Sequence, residues 1–178
     1  MKNKKLMTIF LIVISIFLSS MSTLAQEEAS EASSSQEIEY TLPFPGILPD
    51  HPLYFLKLFR DKVLDFLVQD PIKRIELDLL MADKRLNMGS FLMEKGKPVL
   101  AEATVFKGEK YFLKITEELQ VVKGQNRGMD QSLLSKIKEA SLKHEEIILE
   151  LLERAPDEQK VGLNNSLELI KEIQEKLD

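Results

Sequence analysis

The chain has 178 residues, 44% apolar and 30% charged, with no Cys, no Trp and a formal net charge of −5. That gives room for one ordinary domain with short appendages, in a composition typical of globular chains. Without Cys there are no disulfides, zinc–thiolate centres, thiol catalysis or lipidated cysteine anchor. The acidity, with no basic cluster interleaved with aromatics, argues against nucleic acid as a partner.

The N-terminus has the form of a secretory signal. Lys2, Lys4 and Lys5 precede thirteen uncharged residues, Leu6 to Leu18, and then SSMSTLA places Thr23 and Ala25 at the small positions before a cut. Cleavage is expected after Ala25, so residues 1–25 form the signal peptide and the rest acts outside the cytoplasm, as a secreted, periplasmic or cell-surface protein. Removing the three lysines takes the net charge from −5 to −8. The competing reading is an uncleaved anchor, because Ser and Thr extend the weakly apolar stretch; on that reading alone the chain would touch a membrane. Residues 26–39 (QEEASEASSSQEIE) hold one large apolar residue, Ile38, and read as a disordered spacer.

The helical domain is expected over 40–178. It opens with TLPFPGILPDHP, residues 41–52, whose four prolines favour extended geometry. An extended strap is expected there, packing Leu42, Phe44, Ile47 and Leu48 over a bundle. Five helices follow. The first runs from near Pro52 to about Val68, with Asp50 as its cap and Leu53, Leu56, Phe59, Val63 and Phe66 as its stripe. Asp70 then Pro71 is a cap followed by proline at the first helical position. The second seam is Ile72, Ile75, Leu79, Ala82, Leu86, Gly89 and Met93, closed by Gly96.

Pro98 opens the third helix, with Ala101, Val105, Gly108, Phe112, Ile115, Leu119 and Val122 inward and Gly124 as its stop. Asp130 caps the fourth, whose seam is Leu133, Ile137, Ala140, His144, Ile147 and Leu151. After Pro156 the fifth carries Leu163, Leu167, Ile170, Ile173 and Leu177. Short connections between long helices imply an all-α, up-and-down antiparallel bundle of about five helices, preceded by the strap. Small residues on large apolar seams (Ala82, Gly89, Gly108, Ala140) read as close helix approach, or alternatively as a ligand-sized gap.

The string YTLPFPGILPDHPLYFLKLFRD, residues 40–61, followed by LLMADKRLNM, residues 79–88, resembles a family of secreted, all-helical prokaryotic proteins catalogued as a domain of unknown function. LKHEEIILELLERAPDE, residues 142–158, is similar to that family's C-terminal part. The resemblance implies an exported helical domain. It supplies no catalytic residue.

Candidate chemistry is sparse. Asp50 and His51 offer two metal ligands or a weak acid–base pair, but a metal needs more ligands; the alternative is that Asp50 caps and His51 bonds locally. His144, on an apolar seam, reads either as a core histidine with one satisfied nitrogen or as a metal or haem ligand. The Glu-x-x-His pattern of di-metal bundles is absent, since Ser141 stands three residues before it. Arg60 and Asp61 are expected to join Asp83, Lys84 and Arg85 in an ion-pair network between the first two helices. No Gly-rich phosphate loop, nucleophile elbow or zinc-protease motif is present. The function expected is therefore a non-catalytic interaction or envelope-scaffolding module with a protein partner or a second copy of itself, and with no cofactor. The alternative is a sensing bundle that holds a metal, haem or lipid between its helices.

Overall fold

A computed structural model describes residues 39–177. The signal segment and nearly all of the spacer lie outside the described residues. Among the described residues five helices follow one another: α1 Tyr54–Leu67, α2 Pro71–Glu94, α3 Pro98–Gly124, α4 Gln131–Arg154 and α5 Asp157–Leu177.

The punctuation acts where the sequence places it. Asp70 accepts hydrogen bonds from the backbone N–H groups of Ile72 and Lys73, both at 3.1 Å, with Pro71 in the first turn. Asp130 accepts from Ser132 N at 3.0 Å. Gly96 sits at φ 68°, a left-handed conformation that glycine adopts without strain, whereas after α3 it is Asn126, at φ 52°, and not the expected Gly124 that takes it. At α1 the expectation fails: its cap position is Leu53, with no side-chain bond. Asp50 turns away to Lys95 and Lys97.

α2 and α3 form one antiparallel hairpin, α4 and α5 another. Arg74 near the start of α2 reaches Glu118 near the end of α3, and Gln174 near the end of α5 donates to Ser141 O in α4. The hairpins stack with α2 beside α4 and α3 beside α5. α3 and α4, consecutive in sequence, therefore sit across the diagonal. The core between them holds the expected seams, with Ile75, Leu86, Phe112, Ile115, Ile137, Leu163, Ile170 and Ile173 fully buried. A Cβ on Gly108 would stand 3.2 Å from Ala82 O, and one on Gly89 would collide with the Val105 side chain. The small seam residues thus bring α2 and α3 together instead of leaving a gap.

The strap is anchored by fewer apolar side chains than expected. Leu42 packs on the core and Leu48 is half-buried, but Phe44 and Ile47 are exposed. Backbone carbonyls hold it instead: Pro43 O accepts from Asn87 at 3.0 Å and Pro45 O from Lys57 at 2.7 Å.

α1 is the main correction. Its stripe of Leu53, Leu56, Phe59, Val63 and Phe66 faces water, while Lys57 and Asp61 are its buried residues.

Candidate functional site

Two features stand apart from ordinary core and surface. The first is a chain of polar groups inside the bundle. His144, on α4, has no exposed surface, and both ring nitrogens are engaged: Nδ1 lies 2.9 Å from Glu109 Oε1 of α3, and Nε2 lies 3.1 Å from Asp83 Oδ1 of α2. Asp83 Oδ2 accepts a hydrogen bond of 2.7 Å from the hydroxyl of Tyr40, the residue that leads into the strap. Phe112 meets the imidazole edge-on, with centroids 5.0 Å apart. Four segments of the chain are thereby joined through one histidine.

Burial by itself pushes the His144 pKa down, but the carboxylates of Glu109 and Asp83 on its two nitrogens outweigh that and raise it to about 9. At neutral pH the ring is an imidazolium donating to two acids. The same environment acts on Tyr40, whose hydroxyl is pushed upward by burial and by the charge of Asp83. Glu109 Oε2 is buried without a hydrogen-bond partner among the described residues.

The second feature is α1. Its inward side carries a cationic cluster: Lys57 Nζ donates to Pro45 O, and Asp61 pairs with Arg60 at 2.7 Å and with Arg85 of α2 at 3.7 Å. The Arg85 guanidinium lies 4.2 Å from the Tyr111 ring centroid and donates to Met81 O. Burial pushes the Lys57 ammonium down to about 8. The outward side carries Phe55, Phe59 and Phe66, exposed by 61%, 69% and 78%.

The residues singled out from sequence fall as follows. Asp50 is held down to about 2 by its hydrogen bonds with Lys95 and Lys97. His51 Nδ1 accepts from Leu53 N at 3.1 Å, the local bond expected of it. His144 lies far from both along the fold, in the core, and both of its nitrogens are bonded where one was expected. Asp50, His51 and His144 do not converge. Among the described residues no group of three or more His, Cys, Asp or Glu is arranged to hold a metal ion, and each ring nitrogen of His144 already faces a carboxylate oxygen.

The expected network between the first two helices forms through Arg60, Asp61 and Arg85, whereas Asp83 turns inward to His144. Tyr40, Glu109 and Lys57 were missed. A signal existed for two partners of the histidine. Asp83 stands four residues after Leu79 and three before Leu86, and Glu109 stands four after Val105 and three before Phe112. Each acid therefore shares the buried arc of its helix.

Residues 46–158 match the model of a family described as Domain of unknown function (DUF5667). The chain belongs to that family. The matched region runs from the strap to the start of α5, so it contains all of α1 and also Asp83, Glu109 and His144; Tyr40 precedes it. No curated protein and no solved structure matches the chain.

Proposed function

We propose that the domain works outside the cytoplasm as a non-catalytic docking module, binding through the outward face of α1. One observation carries this reading: α1 turns its charged residues inward and its phenylalanines to water. A monomer seldom exposes contiguous apolar area beyond a few hundred Å² unless the area is used. Phenylalanine side chains of about 150–250 Å² each, exposed by these fractions, supply roughly 400 Å² from three residues alone. The buried histidine cluster has a structural role in this reading, fixing the strap to the bundle on which α1 is presented. The alternative of a ligand between the helices loses its main support where Gly89 and Gly108 bring α2 and α3 into contact.

The test is photo-cross-linking in intact cells from a benzoylphenylalanine placed at position 59 of the full chain, with position 164, an exposed site on α5, as the control. An adduct specific to position 59, whether to protein or to lipid, supports the docking reading. Adducts equal at both positions, or none, refute it. Fractionation of the same cells tests export, since a chain found wholly in the cytoplasm would end the extracytoplasmic part.

A further inference from the structure

We infer that the surface on which α1 docks is an anionic lipid surface, with the helix lying in the headgroup region and its phenylalanines directed into the acyl boundary. This rests on the docking reading above and names its partner. At about 100° per residue, with the buried Lys57 as origin, Phe55, Phe66 and Phe59 fall at about 160–200°, and Val63, Leu56 and Leu67 continue the apolar sector to about 280°. Lys62 stands at about 140° and Arg60 at about 300°, one at each edge of that sector. Both side chains are exposed. The two acids of the helix lie on the other side: Asp61 is buried, bonded to Arg60 at 2.7 Å and 3.7 Å from Arg85, and Asp65 is paired with Arg74 of α2 at 3.7 Å. Lys62 is therefore the rim cation without an acid of α1 on it. An apolar sector bordered by cations, with the acids turned away, is the pattern of a helix lying on an anionic bilayer, where long basic side chains reach up to the headgroups.

A second copy of the chain suits this face less well. An isologous contact sets the same patch against itself. The Lys62 edge of one copy would meet a cationic edge of the other, because the one acid near the rim, Asp61, is already taken by Arg60. A lipid headgroup supplies that negative charge. The chain outside the described residues agrees in reach. Residues 19–40 separate the apolar stretch Leu6–Leu18 and its basic leader from the strap, and twenty-two residues extend at most about 75 Å. Where that stretch is retained as an uncleaved anchor, α1 is held within that reach of the bilayer.

The experiment exploits the absence of Trp from the chain. Phe59→Trp in the full-length protein places a single reporter on an exposed position of the face, and circular dichroism verifies that the fold is retained. It is titrated with vesicles of phosphatidylcholine containing or lacking phosphatidylglycerol, and with vesicles whose acyl chains are brominated. The proposal expects a blue shift and bromine quenching on the anionic vesicles. It further expects partition weakened roughly fivefold in Lys62→Gln, made in the Phe59→Trp protein, and lost at high salt. Site 59 reports its own surroundings, so binding through the N-terminal stretch alone leaves its emission unshifted and overturns the proposal. A blue shift that needs no vesicles and grows with protein concentration assigns the face to a second copy; the lipid proposal then fails while the docking reading stands. An unshifted reporter together with no specific adduct at position 59 in cells overturns both.

Discussion

His144 makes stability depend on pH in a window where few other groups titrate. Its pKa rises from 6.5 to about 9 on folding, so the folded state binds the proton more tightly. The stability this contributes is fully present below pH 6.5 and is lost as the pH rises through 9. The whole shift corresponds to about 3 kcal/mol, and about 2 kcal/mol of it disappears between pH 6 and pH 8. Two neighbours bound the window. Asp78, pushed up to about 6 by burial, is largely ionised above the lower limit. Lys57, pushed down to about 8 by burial, begins to contribute in the opposite sense near the upper limit. Urea denaturation followed by helical circular dichroism at pH 6, 7 and 8 should show stability falling by about 2 kcal/mol with an unchanged urea dependence. His144→Gln, which cannot titrate, should be less stable at pH 6 and should lose the decline. A wild-type stability that is flat or rises over this range refutes the charged-imidazole account even if the variant fails to fold.

Removing the Tyr40 hydroxyl by Tyr40→Phe leaves Asp83 Oδ2 short of its partner, at a cost of about 1–3 kcal/mol; a shift of the urea midpoint without a change in slope measures it. Gly89→Ala forces Val105 aside and should cost about 1–3 kcal/mol against a helix-propensity gain of up to about 1 kcal/mol. Gly124→Ala meets nothing within 4 Å and should be neutral or slightly stabilising in the same urea denaturation. Asp70→Ala removes the α2 cap and the 2.8 Å pair with Arg127, lowering stability by about 1 kcal/mol, most of it retained in high salt because the cap bonds dominate.

The five helices and most of their ends were legible because each is marked by a local signal: Asp70 with Pro71, Gly96 before Pro98, Asp130, Pro156. Four seams were legible because periodicity and burial agree there. Periodicity failed at α1 because it identifies an apolar stripe but not the direction in which that stripe points. Which way α1 faces was decided by what α2 offered it, namely Arg85 and Met88 beside a strap whose Pro45 carbonyl needed a donor. The site divides in the same way. His144 was visible as a polar residue on a seam. Its partners were not, because they depend on the register between helices, set where Gly108 lets α3 approach Ala82 closely enough to bring Glu109 to one side of the imidazole and Asp83 to the other.

The inversion of α1 also has an energetic consequence. Rotating the helix by half a turn would move three phenylalanines from water toward α2. The roughly 400 Å² of apolar surface on those rings is burial that the fold leaves unused. The same rotation would expose Lys57 and Asp61, leave the Pro45 carbonyl without its donor and leave Arg85 without Asp61. Losing the partner of a buried charge costs about 3–5 kcal/mol, which makes the inward polar side a lock on the orientation. The lock holds the phenylalanines outward irrespective of what lies beyond them. An isolated domain therefore carries an unfavourable hydration term that folding alone never relieves, and the proposed docking of α1 would recover it. This is the physical reason to look for the function on the outer face of α1, while the histidine cluster in the core maintains the frame that presents it.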